Sequence, residues 1–344
     1  MVIPTLNEVN RLEPCLQGLR QQSYELREAI IVDSNSQDGT PELVKSYADR
    51  DRRIRLINDP PLAAGWVGRP WALHNGFLAS SPASRWVLGI DADTQPQWGM
   101  IAGLLQAAES EKFDLVSLSP KFILASPGEW WLQPALLMTL IYRFGAAGQR
   151  NNAPERVMAN GQCFLCRRSV LAAVDGYTAA AGSFCDDVTL ARQIAAAGYK
   201  VGFWDGSEVL KVRMYVGMAE TWREWGRSLD LKDASSPSQI RGDLWLLGMM
   251  QGLPLILLLI TLSCYLLGNH SEAVLGLLGL NLGLVVMRFA LLLAIAPTYE
   301  AADDGSGLPW AFFLSPVADP AAWYRIWLSA QSTPKEWRGR NYSS

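Results

Sequence analysis

The chain has 344 residues, which is enough for one large domain or two of ordinary size. Its 30 basic and 33 acidic side chains give a net charge of −3, a balance that argues against a dedicated nucleic-acid-binding protein. Charged residues make up 18% and hydrophobic residues 49% of the sequence, whereas an average soluble domain is about 25% charged. The chain is therefore either unusually buried or partly embedded in lipid. Its five cysteines, an odd number at irregular spacing, favour a reducing compartment over a secreted disulfide scaffold.

Short apolar runs alternate with helical patterns through the first third of the chain. The predicted strands are residues 2–4, 28–32, 54–57 and 85–90. The predicted helices are residues 9–22, 41–49, 71–79 and 98–109. Strands that alternate with helices predict an α/β fold with a mostly parallel sheet flanked by helices. Ligands of such sheets bind beyond the carboxyl ends of the strands, so polar residues that follow strands are candidate site residues; Thr5 and Glu8 follow the first strand.

Asp91 and Asp93 stand one residue apart directly after a predicted strand. A turn at this point lets both carboxylates reach one cation. Because carboxylate and phosphate oxygens suit Mg²⁺ or Mn²⁺, the pair is a candidate metal site. An exposed turn without a ligand is the alternative for so short a pattern.

The polar stretch 33–40 follows the second predicted strand. Asp38 or Thr40 can cap the next helix, which has Pro41 in its first turn. Capping does not account for Asp33 at the strand tip. Its carboxylate could accept hydrogen bonds from ribose hydroxyls or from a base N–H.

Residues 65–72 form a glycine-rich stretch that contains one cation, Arg69. A flexible loop of this kind can place an arginine over a diphosphate, because a guanidinium binds phosphate oxygens in pairs; a plain surface turn is the alternative. His74 has no Cys or His at ligand spacing, which favours a solvated or capping role over catalysis. Cys163 and Cys166 have C-x-x-C spacing without a second pair, which favours buried thiols over a zinc or redox site.

Asp186 and Asp187 precede a predicted helix over residues 188–197. Two acids at this position are favoured by the helix dipole alone, which is the simpler explanation. The functional alternative is that Asp187 acts as a general base that takes a proton from an acceptor hydroxyl.

Two long apolar runs lie near the C-terminus. Residues 244–268 contain no charge, and residues 273–297 contain only Arg288. A helix needs roughly 20 apolar residues to cross a bilayer, so both runs are predicted spans, the first kinked at Pro254. A buried soluble hairpin is the alternative. A lone cation at mid-depth is costly, so Arg288 is expected to snorkel, to pair with a neighbouring helix or to line a polar path.

Two further apolar segments are poor candidates for spanning. Residues 308–330 contain Asp319, Pro320 and Arg325 among several tryptophans, which favours an interfacial or re-entrant segment. Residues 130–142 begin with paired tryptophans and are too short to span. They fit either a helix in the headgroup zone or a buried core helix.

Basic residues flank the predicted spans and predict their orientation. They are Arg223, Arg227, Lys232 and Arg241 before the first span, and Lys335, Arg338 and Arg340 at the end of the chain. The link between the spans has none, so both tails are predicted to face the cytoplasm. We therefore expect a domain over residues 1–240 on the cytoplasmic side, followed by a multi-pass membrane region over residues 241–344.

Four motifs occur in one order along the first 230 residues. They are VIPTLNE at 2–8, VDSNSQDGT at 32–40, DAD at 91–93 and DDVTLARQIAAAGYKV at 186–201. In this order and spacing they resemble glycosyltransferase family 2, the inverting transferases of the GT-A fold. Residues 65–72, together with the C-terminal apolar runs, are similar to the membrane-bound branch that glycosylates carotenoids and hopanoid-like lipids, including the myxoxanthophyll-type carotenoid 2′-O-glycosyltransferases of cyanobacteria.

The resemblance implies that the first two motifs bind the nucleotide of a sugar donor. Thr5 and Glu8 would line the nucleotide pocket, and Asp33 would lie near the base or the ribose. Many family members have two acids at the second strand tip, whereas here Ser34 follows Asp33.

The later motifs, by the same resemblance, would bind the diphosphate of a UDP- or GDP-linked sugar and carry out the chemistry. Asp91 would flank the sugar diphosphate, Asp93 would hold Mg²⁺ or Mn²⁺, and Asp187 would be the catalytic base. The related branch often has Lys where this chain has Arg69.

The implied activity is the transfer of one sugar to a hydroxyl of a membrane lipid, such as a carotenoid, by a GT-A domain over residues 1–240. Processive synthases carry a Gln-x-x-Arg-Trp motif, and the sequence TWREW at 221–225 lacks that pattern. The alternatives are transfer to a polyprenyl phosphate or a glycerolipid, and a membrane scaffold with the same fold but no activity.

Overall fold

The computed structural model describes residues 1–149, 153–226, 229–302, 307–332, 336–337 and 340–341. Three basic residues used above to predict orientation, Arg227, Lys335 and Arg338, lie outside the described residues. The chain forms two compact units: the first comprises Met1–Phe122, Ala146–Met214 and Lys335–Ser344, and the second comprises Ile123–Gly145 and Tyr215–Pro334. The functional division at residue 240 stays a prediction.

Strands and helices alternate through the first half of the chain, and helices dominate the second. The strands are β1 (Val2–Thr5), β2 (Ala29–Asp33), β3 (Ile54–Asn58), β4 (Trp86–Gly89), β5 (Thr94–Pro96), β6 (Leu115–Ser119), β7 (Lys121–Leu124), β8 (Phe164–Arg167), β9 (Val201–Asp205), β10 (Leu210–Val212), β11 (Tyr299–Ala301), β12 (Glu336–Trp337) and β13 (Arg340–Asn341). The helices are α1 (Glu13–Arg20), α2 (Thr40–Ala48), α3 (Gly68–Ala79), α4 (Met100–Ser110), α5 (Pro127–Phe144), α6 (Arg168–Ala173), α7 (Asp186–Ala196), α8 (Gly217–Glu220), α9 (Pro237–Leu247), α10 (Pro254–Leu266), α11 (Glu272–Ile295), α12 (Trp310–Phe313) and α13 (Asp319–Gln331).

The first unit is built on a seven-stranded sheet with the strand order β3-β2-β1-β4-β8-β6-β9. In the described part of the chain, β8 is the one strand of this sheet that runs antiparallel to its neighbours, β4 and β6. The α/β class with a mostly parallel sheet is therefore confirmed. The carboxyl ends of the six parallel strands lie at one edge, and the amino end of β8 lies at the same edge.

Alternating side chains of the central strands explain why helices cover both faces of this sheet. Ile3 and Ile31 pack into one core layer with residues of α1, α2 and α4. Val2, Ile30 and Val32 pack into the opposite layer with residues of α3 and α7. Because successive side chains of a strand point to opposite faces, the unbroken apolar run in β2 buries both faces at once.

Two helix boundaries differ from the predicted ones. The helix predicted over residues 9–22 is shorter, because α1 begins at Glu13 with Pro14 in its first turn, where a missing N–H is tolerated. The helix predicted over residues 71–79 is longer, because α3 already begins at Gly68. Arg69 therefore lies in the first turn of a helix and not in a flexible loop.

A smaller sheet joins three strands of the first unit. β10 pairs antiparallel with β5, where Lys211 lies opposite Gln95, and parallel with β7, where Val212 lies opposite Phe122. β5 follows the Asp91–Asp93 turn directly, so this sheet fixes the chain that leaves the carboxyl edge of β4.

The second unit has α5 in its core. Trp130 is buried, and its ring lies 6.1 Å from that of Phe312. The amide of Gln251 donates to the carbonyl of Ala135 at 2.8 Å. Of the two possibilities for residues 130–142, the structure thus shows the buried core helix.

The first predicted span is broken in the structure. Pro237–Gly252 and Pro254–Leu266 form two helical segments that meet at 47°. The break follows from Pro254, which lacks the N–H that would continue the helical hydrogen bonds. Among the described residues, only the helix Glu272–Thr298 is by itself long and apolar enough to cross a membrane, and the bent pair reaches that length together. The number of spans and their orientation stay predictions.

Arg288 pairs with a neighbouring helix of the second unit, which is one of the three outcomes expected for it. Its guanidinium donates from Nε to Oδ2 of Asp319 at 2.8 Å and from Nη2 to Oδ1 at 3.0 Å. The amide of Gln251 also donates to Asp319, at 2.9 Å. Both charged side chains are 4% exposed, so the segment predicted to be interfacial or re-entrant supplies the counter-charge for α11.

Candidate active site

The tip of β2 holds a buried carboxylate that organises the loop after it. Asp33 is 1% exposed and accepts from the hydroxyl of Thr5 at 3.1 Å. It also accepts from the backbone N–H of Ser36 at 2.9 Å and from its hydroxyl at 2.5 Å. The structure therefore brings the predicted residues Thr5 and Asp33 together, although both oxygens of Asp33 already have protein donors.

The loop after β1 is tied to the start of α2. The N–H of Glu8 donates to the hydroxyl of Thr40 at 2.9 Å, and the N–H of Val9 donates to Asp38 at 3.0 Å. Asp38 also accepts from the N–H of Thr40 at 3.1 Å. The capping prediction is wrong in its residue, because the N-cap of α2 is Gly39 and neither Asp38 nor Thr40; Asp38 instead accepts from the first helical residue, and Glu8 is buried.

Arg69 lies at the centre of the candidate site. Its Nε donates to Oδ1 of Asp91 at 2.8 Å, and its Nη1 donates to Oδ2 of Asp186. Its Nη2 donates to the carbonyl of Gly161 at 2.8 Å. The strand-end acid and the acid pair of α7, which lie about a hundred residues apart in sequence, therefore meet around one guanidinium.

Asp187 is held by backbone donors in the same cluster. Its Oδ2 accepts from the N–H of Gly161 at 2.6 Å, and its Oδ1 accepts from the N–H of Val188 at 2.9 Å. Both bonds use lone pairs of an ionised carboxylate and leave others available, since each oxygen can accept twice.

The cluster contains three carboxylates for one guanidinium, and this imbalance sets its electrostatics. Burial of the carboxyl, together with the charges of Asp187 and Asp91, raises the pKa of Asp186 to about 7 against the opposing effect of Arg69. Burial also raises the pKa of Asp187, which Arg69 opposes. For Arg69, burial lowers the pKa, but the charges of Asp186 and Asp91 outweigh it, so the guanidinium stays charged.

The donor set at the end of β4 fits a divalent cation that a diphosphate helps to bind. Asp93 is 8% exposed, whereas the side chain of Asp91 is 29% exposed. No group of three or more His, Cys, Asp or Glu side chains within the described ranges could hold a metal ion. Two carboxylates with substrate phosphates completing the coordination are the usual arrangement for Mg²⁺, so Asp91 and Asp93 suit a metal that arrives with its substrate.

The remaining sequence motifs lie outside this cluster of bonds. His74 accepts the N–H of Tyr177 at 3.3 Å on Nδ1, and its solvated or capping role stays a prediction. Cys163 and Cys166 are buried in the sheet, and burial raises the pKa of both thiols. The prediction of buried thiols, as opposed to a zinc or redox site, is consistent with this burial.

Two members of the cluster were not among the predicted site residues. Asp186 was visible as the neighbour of Asp187, but its bond to Arg69 depends on tertiary structure. Gly161 lies in no motif, and its role rests on two backbone groups. Sequence offers no signal for a residue that acts through its main chain.

Mostly parallel sheets bind their ligands beyond the carboxyl ends of the strands, which is where the acids of this site meet. The sequence profile of glycosyl transferase family 2 matches residues 1–174. Because this match covers just over half of the chain, the protein belongs to glycosyltransferase family 2.

Individual relatives are distant. The chain is similar to the 4,4′-diaponeurosporenoate glycosyltransferase of Staphylococcus haemolyticus (strain JCSC1435), with 25% identity over 76% of this chain and 70% of the relative. It is 24% identical to the probable glycosyltransferase YdaM of Bacillus subtilis (strain 168) over 66% of this chain, but spans only 52% of that relative. Among solved structures, it is similar to the mannosyltransferase PcManGT from Pyrobaculum calidifontis in complex with GDP-Man and Mn²⁺, with 17% identity, 83% and 84% coverage and a TM-score of 0.45.

Proposed function

We propose that this protein transfers a single sugar from a UDP- or GDP-linked donor to a hydroxyl of a membrane lipid, with inversion at the anomeric carbon. The observation that carries the proposal is the cluster in which Arg69 joins Asp91 to the acid pair Asp186 and Asp187. The cluster combines Asp91, which would flank the diphosphate of the donor, with Asp187, whose carboxylate can accept a proton. Transfer to a neutral hydroxyl needs such a proton acceptor.

In the proposed reaction, the acceptor oxygen attacks the anomeric carbon from the face opposite the diphosphate. A bond forms between that carbon and the acceptor oxygen, the bond to the diphosphate oxygen breaks, and the hydroxyl proton passes to Asp187. The nucleoside diphosphate leaves with the bonding electron pair. A metal held by Asp93 and flanked by Asp91 would stabilise the charge on this leaving group when bound.

A lipid acceptor is supported by the apolar surface of the second unit. Leu280, Val286 and Leu293 of α11 are each 59% exposed, and Leu267 after α10 is 88% exposed. Exposed apolar surface of this extent supports the proposal of contact with lipid. We propose that these helices anchor the protein in the membrane, with the transferase region on the cytoplasmic side.

A carotenoid is the proposed acceptor within this class, by similarity to the diaponeurosporenoate glycosyltransferase; specificity of the cyanobacterial myxoxanthophyll type belongs to the same proposal. The name of that relative denotes a carotenoid acid, so a carboxylate acceptor is the second candidate. An ionised carboxylate, like a polyprenyl phosphate, would need no base. Incubation of the protein in lipid nanodiscs with UDP- and GDP-sugars and hydroxylated or carboxylated carotenoids, followed by mass spectrometry of the lipids, tests the proposal; no glycosylated lipid from any pair would refute it.

Replacing Asp93 by Ala is expected to make transfer depend on a higher metal concentration. Loss of the carboxylate proposed to hold the metal weakens binding, so we expect the Mn²⁺ concentration for half-maximal rate to rise at least about tenfold. Initial rates over a Mn²⁺ titration after treatment with a chelator measure this. The exposed Asp49, replaced by Ala, is the matched control. An unchanged titration curve in the Asp93 variant would contradict the assignment of Asp93 as the metal ligand. A wild-type protein that does not turn over any donor would favour the alternative of a membrane scaffold without activity.

The pH dependence of transfer to a hydroxyl should show an acidic limb. Asp187 accepts a proton only when ionised, and burial raises the pKa of its carboxyl. The rate should therefore fall as pH drops through a range above about pH 4, the ordinary value for Asp. Measurement of kcat/KM across this range reports the carboxyl pair of the free enzyme. A rate that stays constant down to about pH 4 would contradict a raised pKa for the base.

A further inference from the structure

Arg69 has all three guanidinium nitrogens bonded to protein acceptors. The acceptors are Asp91 at 2.8 Å, Asp186, and the carbonyl of Gly161 at 2.8 Å. The side chain is 12% exposed. Because its three guanidinium nitrogens already bind three separate chain segments, the first role of Arg69 is to hold these segments together.

Gly161 links Arg69 to Asp187. Its carbonyl accepts from Arg69, and its own N–H donates to Oδ2 of Asp187 at 2.6 Å. The preceding residue is fixed as well, because the N–H of Asn160 donates to the hydroxyl of Ser117 at 2.7 Å. A displacement of the Arg69 guanidinium would therefore also move Asp187, the proposed base, because Gly161 binds both.

The packing at Gly161 leaves no room for a side chain. A Cβ at this position would overlap Nη2 of Arg69 and would lie 2.7 Å from its Cζ. The residue is not among those with positive φ, so space and not backbone conformation requires the glycine. The close contact between the Arg69 guanidinium and the main chain at residue 161 therefore depends on the glycine at this position.

We propose that Arg69 and Gly161 together position Asp187 toward the acceptor. This inference rests on the proposed function, in which Asp187 takes the proton. It gives Arg69 a role as a positioning residue, in place of a contact to the diphosphate. A lysine cannot fill this role, because a single ammonium lacks the planar fork that reaches three acceptors at fixed angles.

Three variants separate position from charge. Arg69→Lys keeps the charge but loses the fork, Gly161→Ala keeps Arg69 but displaces it, and Arg69→Gln removes the charge. We expect kcat to fall by about 10- to 100-fold in all three, with the Kd for the nucleoside diphosphate changed by less than about threefold. The acidic limb of the pH profile should move to higher pH in Arg69→Gln, since Arg69 lowers the pKa of Asp187. It should move least in Arg69→Lys.

Matched controls are available on the same unit. Gly103 lies on the exposed side of α4, where an added Cβ meets nothing within 4 Å, so Gly103→Ala should match the wild type. Arg85 is 79% exposed, so Arg85→Lys should also have the kcat of the wild type. A normal thermal unfolding midpoint for each variant confirms that it is folded.

The opposite pattern would overturn the inference. If Arg69 binds the diphosphate, both Arg69 variants should weaken nucleotide binding by more than about 30-fold, while Gly161→Ala retains wild-type kcat. Titration of ¹³C-labelled aspartate carboxyls by NMR needs no turnover: displacement of the Arg69 guanidinium, whose charge lowers the pKa of Asp187, should raise that pKa in Gly161→Ala, and an unchanged value would also overturn the inference. A wild-type protein that binds nucleotide but glycosylates no lipid would instead refute the proposed function alone.

Discussion

Replacing Asp187 by Asn is expected to lower kcat for transfer to a hydroxyl by about 10²- to 10⁴-fold, the range for loss of a general base. The asparagine has the same shape, and its amide oxygen can still accept the N–H of Gly161. Its NH₂ group cannot accept the N–H of Val188, but the bond that joins residue 187 to the cluster should remain. The Kd for the nucleoside diphosphate should change by less than about threefold. Initial rates and calorimetric titration with nucleotide measure the two quantities, with Asp49→Asn on the surface as the control.

The result also distinguishes the acceptors. A carboxylate or phosphate acceptor is ionised near neutral pH and needs no proton acceptor. Retained turnover in Asp187→Asn would therefore refute the base assignment and favour a carotenoid acid or a polyprenyl phosphate. Loss of turnover with normal nucleotide binding would favour the hydroxyl.

Replacing Asp319 by Ala is expected to destabilise the second unit by about 3–5 kcal/mol, because it leaves the charge of Arg288 buried without its partner. Both side chains are 4% exposed, and two guanidinium nitrogens bind the carboxylate. The midpoint of thermal unfolding in detergent should fall by on the order of 10 °C.

The double variant Arg288→Met with Asp319→Leu provides the control for this prediction. Replacing a buried ion pair by apolar residues of similar volume is often neutral, so the double variant should unfold near the wild-type temperature. A coupling free energy near zero in the double-mutant cycle would show that the two residues do not depend on each other.

The alternation of strands and helices was predictable because it rests on local signals. The buried run at Ala29–Asp33 and Pro41 in the first turn of α2 each specify their element within a few residues. The acids at Asp91 and Asp187 were predictable because they follow a strand and open a helix. The α/β class and the carboxyl edge follow from these local patterns.

The partners within the site were not predictable, because they depend on contacts between segments far apart in sequence. Arg69 was expected in a loop over the diphosphate, and it lies in the first turn of α3 beside Asp91 and Asp186. The antiparallel course of β8, which brings Gly161 to the carboxyl edge, leaves no periodic signal. Likewise, no local pattern distinguishes a core helix at residues 130–142 from an interfacial one.

The close contact between α3 and the sheet makes the reactive centre sensitive to a distant methyl group. A Cβ at Gly76 would overlap Val2 and would lie 2.9 Å from Val32. Gly76 and Arg69 are separated by seven residues, or about two helical turns, and so lie on the same side of α3. A methyl group at Gly76 would therefore press α3 away from the sheet, so we expect sequence variation at this uncharged contact to change the position of Arg69 in the candidate site.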